Sequence, residues 1–235
     1  MDKPHVTVKR SVGRRPKSSG SDEDTRSDIL AAARKVFALR GFAGTSIREV
    51  AEAARVNKAM IYYYFRDKVD LYRAVLSDSF DAMQDIWRHE VFQGTAPARR
   101  KIQKYIEGFI GFQHNNEDLR KILAMEFSTT GTKSENLKWI AQHYFAKNHA
   151  ALVKILEAGM KSGELKKMNP LMAVVALIGM IIHSFIYIPI SPYIQKKKVD
   201  MSSEKLGAFV TEIFFSGLSA PENARKLKQK TEVRT

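Results

Sequence analysis

The chain has 235 residues, with 39 Lys or Arg against 25 Asp or Glu, for a net charge of +14. It has no cysteine, which excludes a disulfide framework, a cysteine zinc finger, an iron–sulfur cluster and a thiol nucleophile. At 44% hydrophobic and 27% charged residues the composition is globular, and the positive excess asks for a polyanion: nucleic acid, an anionic membrane or an acidic partner.

The charge is unevenly placed. Residues 1–20 carry +5 on Lys3, Lys9, Arg10, Arg14, Arg15 and Lys17 against Asp2. This Gly-, Ser- and Pro-rich stretch reads as a disordered basic arm over 1–24. No apolar run follows its basic residues, as a secretory signal requires. Gly13-Arg14-Arg15-Pro16 is a patch suited to a minor groove. Residues 21–78 are nearly neutral at +1, and the tail 221–235 is basic again at +3.

In between, the apolar spacing is helical throughout and no alternating strand is found. Ile29, Ala32, Ala33, Val36 and Phe37 form one stripe, with Thr25 and Asp28 as an expected capping box and Gly41 as the stop. Ile47, Val50, Ala51 and Ala54 make a second, shorter helix behind the box Ser46–Glu49. A third begins at the N-cap Asn57 and runs to about Phe65; Asp67 caps a fourth that runs from about Lys68 toward Val91. Further helices are expected near 97–114, 118–128 and 134–161. Asn169-Pro170 opens a very apolar helix that Pro189 and Pro192 break, and a last helix spans about 203–218.

Two short helices joined by the turn Arg55-Val56-Asn57 are what a helix–turn–helix needs. At 100° per residue, Ile61 and Phe65 of the second of this pair point inward and Ala59, Met60 and Tyr63 outward, with Tyr62 and Tyr64 on the shoulders. Phenol hydroxyls suit phosphates, and small apolar groups suit thymine methyls.

The run Thr45-Ser46-Ile47-Arg48-Glu49-Val50-Ala51-Glu52-Ala53-Ala54, then Val56-Asn57-Lys58-Ala59-Met60-Ile61-Tyr62-Tyr63-Tyr64-Phe65 and Lys68, resembles the DNA-binding domain of the TetR/AcrR family of transcriptional regulators. The upstream Ala32-Ala33 to Phe37 and Arg40-Gly41-Phe42 extend the likeness over about residues 25–76; Gly159, Gly163 and Asn169-Pro170 resemble the family's variable second domain less specifically. The resemblance implies an all-α fold: a three-helix helix–turn–helix domain over 25–76, then a roughly six-helix ligand-binding and dimerisation domain over 77–220. It implies that Thr45 and Ser46 start the second helix against a phosphate and that Lys58, Ala59 and Tyr63 face bases. Tyr62 and Tyr64 would hold backbone, and Lys68 a phosphate. Two positions depart from the family pattern. Arg55 stands where glycine is usual, costing about 1 kcal/mol if φ is positive but adding a cation near DNA. Met60 stands where Thr or Ser is frequent.

Residues 171–188 are long enough to be weighed as a membrane span. The prolines, lysines on both sides and the amphipathic last helix favour a buried interface helix instead. By resemblance, 170–188 and 203–218 make a homodimer across a two-fold axis, which calls for a near-palindromic operator on double-stranded DNA. Trp87, Phe109, Phe112, Met125 and Phe127, with His183 and Tyr187 one turn apart, are the expected lining for a small apolar or aromatic effector, against the plainer reading of each as core. No metal-ligand spacing, phosphate loop, dinucleotide fingerprint or nucleophile elbow occurs, so neither a cofactor nor an enzyme is expected. The sum is a cytoplasmic, ligand-responsive DNA-binding regulator, most simply a repressor. An apolar-ligand carrier or enzyme and a membrane-associated basic protein are the rivals.

Overall fold

The computed structural model describes residues 21–92, 94–130, 134–195 and 202–216. Residues 1–20 of the expected arm, with Arg14 and Arg15, and the C-terminal tail lie outside these residues, whereas 22–24, expected to be disordered, open the first helix behind the N-cap Ser21. Among the described residues every regular element is helical.

Helix α1 (Asp22–Gly44) starts earlier than the Thr25 cap expected from the sequence. Ser21 Oγ accepts from Asp24 N at 3.2 Å, and the Asp24 carboxylate accepts from Ser21 N at 2.8 Å. The acidic turn Asp22-Glu23-Asp24 also suits the positive end of the helix dipole, so the chain takes this box instead. Gly41 leaves helical geometry at φ +67° and turns the chain toward α2 (Ile47–Ala53). That helix opens on the expected Ser46–Glu49 box. Helix α3 (Lys58–Tyr64) is capped by Asn57, whose Oδ1 accepts from Met60 N at 2.8 Å. Helix α4 (Lys68–Trp87) is capped by Asp67 and runs on through a π-helical stretch, Arg88–Phe92. Ile29, Ala33, Phe37, Val50, Ile61 and Leu71 are wholly buried between these helices. Because α3 has only two turns, its cap is a large share of its local stability. Asn57→Ala is expected to lower unfolding free energy by about 1 kcal/mol, read from denaturant midpoints.

Helices α5 (Ala98–Asn115) and α6 (Glu117–Thr130) follow. Helix α7 (Glu135–Ile140) passes through a π segment, Ala141–Phe145, into α8 (Ala146–Lys161), so the single helix expected over 134–161 contains one widened turn. At Gly159 a Cβ would sit 2.7 Å from the Ala98 Cβ, so only glycine lets α8 approach the start of α5 this closely. The Glu164 carboxylate accepts from Ala98 N and Arg99 N at 2.9 and 2.8 Å, supplying the cap that Pro97 cannot.

Helix α9 (Pro170–Tyr187) is capped by Asn169. The prolines beyond it do not end the helical course. A 3-10 turn, Ile188–Ile190, and a short α10 (Ser191–Gln195) continue it. Each proline falls in the first turn of its own segment, where no backbone N–H is needed. Helix α11 (Ser203–Ser216) packs on α5 and α9. The first three helices are joined to the rest by α4 and by the packing of α6 along α1.

Candidate nucleic-acid interface

Helix α3 has the two faces read from its sequence. Ile61 and Phe65 are 0% and 2% exposed, against 36% for Met60, 47% for Tyr62 and 70% for Tyr63. Lys58 and Ala59 are exposed beside them. The Lys58 ammonium lies 5.5 Å from the Tyr62 ring centroid, and Tyr63 meets Tyr64 edge-on at 4.9 Å. The outer face is therefore a cation, one small side chain and three polarisable ones on a rigid, capped support.

Arg55 has a φ of +57°, the one positive value outside glycine among the described residues. The α2–α3 turn thus demands a left-handed residue and receives an arginine with an exposed side chain. Arg55→Gly is expected to relieve about 1 kcal/mol of backbone strain, partly offset by the greater freedom of glycine in the unfolded chain. The melting temperature should rise or hold, while affinity for DNA falls by loss of a cation. A lower melting temperature would show that the arginine side chain itself stabilises the turn.

Several expected contacts look different in place. Thr45 is buried, and its hydroxyl donates to Gly41 O at 2.8 Å, so it closes the kink after α1 and does not offer its oxygen outward. Ser46 is exposed, but its Oγ is engaged with Glu49 in the capping box. The Tyr64 hydroxyl donates to Asp22 Oδ1 at 2.7 Å, which holds its phenol above the ordinary range and ties α3 to the start of α1. Lys68 is half-buried: its Nζ donates to Phe42 O at 2.9 Å and Thr45 O at 3.0 Å, over the Phe42 ring. Two of its three N–H bonds therefore hold the α1–α2 corner, leaving one for a phosphate. Nearby guanidinium groups are matched by acids, Arg40 with Glu49 at 2.6 Å and Arg48 with Glu52 at 2.8 Å. Acids and bases are nearly equal in number here, and these pair locally.

A link the sequence did not reveal joins this unit to the second set of helices. Tyr72, on α4, donates from its hydroxyl to Glu126 Oε2 at 3.0 Å, and Ser134 donates to Glu126 Oε1. Glu126 is buried, and Ser134 Oγ accepts from Leu137 N as the cap of α7. Burial, then the Glu126 charge, push the Tyr72 phenol well up, so it remains a donor. Partners 54 residues apart carry no periodic signal.

Of the seven residues expected to line an effector site, only Trp87 and Phe109 meet in ring contact. Trp87 and Phe109 share an aromatic cluster with Tyr105, at 5.6 Å from each other, and the buried Trp87 Nε1 has no hydrogen-bond partner. Phe112 stacks on Phe80. Met125 instead packs toward Gly41 of α1. Phe127 is exposed, because it lies on the side of α6 turned from the core. His183 and Tyr187 also point outward: α9 buries Ala173, Val174, Leu177 and Ile181 and leaves the opposite stripe uncovered. The core reading of His183 is equally corrected. Among the described residues, a recess of about 560 Å³ lies between α5 and α11 and another of about 300 Å³ beside Phe92 and Ile155, and none of the seven lines either.

Residues 29–75 match the family model for bacterial regulatory proteins of the tetR family. The chain is 27% identical over 141 residues to a probable HTH-type transcriptional regulator, YttP of Bacillus subtilis, covering 60% of this chain and 67% of that one. It is 30% identical over 108 residues to the HTH-type transcriptional activator FasR of Mycolicibacterium smegmatis, covering 46% of this chain and 49% of that one. The chain thus spans about half to two thirds of the length of these relatives. In fold it is similar to the transcriptional regulator FadR from Bacillus subtilis in complex with stearoyl-CoA, at a TM-score of 0.64 and 21% identity over 82% of this chain and 99% of that one.

Proposed function

From a chain that belongs to the TetR/AcrR family of transcriptional regulators, we infer a homodimer that binds a palindromic operator and is released from it by a small effector. The observation that carries this reading is the outer face of α3, where Lys58, Ala59, Tyr62 and Tyr63 stand exposed on a helix locked by Asn57 and Ile61. Lys58, Ala59 and Tyr63 are assigned to base edges and Tyr62 to the phosphate backbone. Tyr64 joins it by exchanging Asp22 for a phosphate. Ser46, Arg55 and Lys68 flank the groove, and Arg14 and Arg15 of the arm enter the adjacent minor groove. Thr45 acts through the corner it closes.

Residues 25–76 would be the DNA-binding domain and 77–220 the ligand-binding and dimerisation domain, with α4 shared between them. The dimer would form through 170–188 and 203–218, whose outward faces include Val175, Ile182 and Phe209. The effector is read as apolar or aromatic, entering beside the Trp87–Tyr105–Phe109 cluster, where the unpartnered Nε1 offers one donor. The relative FadR, which shares the fold, was solved with stearoyl-CoA, so acyl thioesters are the first compounds to try. On this reading the protein works in the cytoplasm as a repressor, and no catalytic step is assigned to it.

Binding measured by anisotropy on labelled duplexes tests this directly. A specific site should be preferred over competitor DNA by about 10³-fold or more, with log K falling linearly in log salt. Equal affinity for every duplex would refute it.

A further inference from the structure

Helix α5 opens on a run of cations. Arg99, Arg100, Lys101 and Lys104 fall in its first two turns, and its first turn holds no acid. They stand at the end of the helix dipole where acids, not bases, are worth about 0.3–1 kcal/mol each. Arg99 lies over the Phe215 ring at 4.4 Å, and Lys104 meets Glu107 at 3.8 Å. Lys101 donates to a neutral group, Gly94 O, at 2.8 Å. Glu164 reaches this end of α5, but its carboxylate is engaged with Ala98 N and Arg99 N. Lys154 of α8 borders the same recess as Lys101, and among the described residues neither ammonium meets an acid.

These two charges do not serve the DNA face. Helix α4 sets about 30 Å between Lys68 and Trp87. The Phe92 ring, which borders the recess, lies 6.4 Å from Trp87 at that far end. Charges are screened over about 8 Å at physiological salt, so Lys101 and Lys154 ask for a different anion.

The recess says what kind. It measures about 300 Å³ and lies between the start of α5 and the middle of α8. Ala98 and Ile155 are buried at its base, and Phe92 forms the side toward the Trp87–Tyr105 pair. Ala151 and Ala158 keep it open, since a larger side chain at either position would fill it. The rest of its lining is apolar but for Lys101 and Lys154, so two cations and no acid border an apolar hollow. Its volume is at the lower end for a small-molecule site. An inorganic anion would leave the apolar base uncovered, and a neutral apolar compound would leave both ammonium groups unmatched. A molecule that is apolar at one end and anionic at the other satisfies both halves.

We propose that this recess binds an amphipathic acid, with its carboxylate or phosphate between Lys101 and Lys154 and its apolar part on Ala98, Ile155 and Phe92. The proposal deepens the effector reading above, on which it rests for any consequence at the DNA, by giving the effector an acid group.

Three probes that share one alkyl chain test it: decanoate, decyl phosphate and decanol, titrated calorimetrically into the full chain. The acids should bind at least tenfold more tightly than decanol, with a margin that shrinks as salt is added, and the tighter of the two names the acid group. Lys154 is exposed, so Lys154→Ala should keep the wild-type circular dichroism. It should lose at least fivefold of the affinity for that acid and none of the affinity for decanol, and Lys154→Arg should restore the loss. The chain has no native cysteine, so Ala158→Cys supplies a single thiol at the recess. Decanoate should slow its alkylation by iodoacetamide at least fivefold. Equal affinity for all three probes, no binding of any, or an unaltered Lys154→Ala overturns the acid site. Binding of decanoate without protection of the Ala158→Cys thiol overturns the recess. Anisotropy on labelled duplexes keeps the two readings apart. An acid that fills the recess and leaves DNA affinity unchanged upholds the site and counts against the effector reading. Release of DNA by decanol as readily as by decanoate upholds the effector reading and removes the acid from it.

Discussion

Tyr63→Ala should weaken binding to the specific site by about ten- to hundredfold while leaving folding stability within about 0.5 kcal/mol of wild type. The tyrosine is 70% exposed and touches its own chain mainly through the edge of Tyr64, so little packing is lost with it. What is lost is the broad, polarisable group at the centre of the outer face of α3. Because it would read bases, discrimination between correct and mutated sites should narrow, with non-specific affinity nearly unchanged. Two residues earlier on the same helix the outcome reverses. Ile61 is wholly buried, and Ile61→Ala should cost about 2–5 kcal/mol of stability, losing DNA binding only by unfolding the support. Melting curves and anisotropy on both variants separate a reading residue from a packing residue. Equal loss of specific and non-specific binding in Tyr63→Ala would remove it from the base contacts.

Glu126→Ala is the second large effect. The carboxylate is buried and receives the hydroxyls of Tyr72 and Ser134, so its removal strands both. A buried donor left without a partner costs about 1–3 kcal/mol, and a total loss of about 2–5 kcal/mol is expected. The position of these groups gives the loss a second consequence. Tyr72 lies one turn along α4 from Lys68, whose ammonium holds the carbonyls of Phe42 and Thr45 at the corner leading into the helix–turn–helix. A shift of α6 or α7 that moves Glu126 would therefore be felt at the corner through a single rigid helix. Glu126→Gln keeps an acceptor for Tyr72 and should recover most of the stability. If the effector's influence on DNA affinity is transmitted here, it should shrink in Glu126→Gln even where the fold survives. Equal thermal stability of Glu126→Ala and wild type would show that the triad holds nothing together.

Which features were legible in the sequence follows from how local their physics is. Asn57, Asp67 and the pair Ser46–Glu49 cap helices through bonds spanning three residues, and each was readable from spacing. The two faces of α3 follow from 100° per residue, and the buried Ile61 beside the exposed Tyr63 bears that out. Arg55 stands out because the resembled family usually has glycine there, and its φ is positive. The start of α1 was misplaced because Ser21-x-x-Asp24 and Thr25-x-x-Asp28 are both capping boxes on paper. Only the acidic first turn separates them. Contacts between distant segments were hidden. Tyr64 with Asp22, Lys68 with Phe42 and Tyr72 with Glu126 are set by how helices cross, which no periodicity encodes. The exposure of Phe127, His183 and Tyr187 has a related reason. Large apolar side chains at helical spacing identify a helix that buries something, but not which side it buries. On α9 the side carrying His183 and Tyr187 is the outer one. The prolines misled in the opposite direction, since a residue that breaks one helix also begins the next.

The central claim is that α3 gives this chain a sequence-specific grip on double-stranded DNA. Selection from a pool of random duplexes by the purified chain, at about 0.15 M salt with excess competitor, tests it most directly, since specific and non-specific affinities differ by about 10³-fold or more under such conditions. The expected result is one enriched motif with two-fold symmetry, its half-sites about one helical turn apart or more, and Tyr63→Ala enriching a more degenerate version of it. Recovery of no motif, or of the same motif at full strength by Tyr63→Ala, would contradict the account.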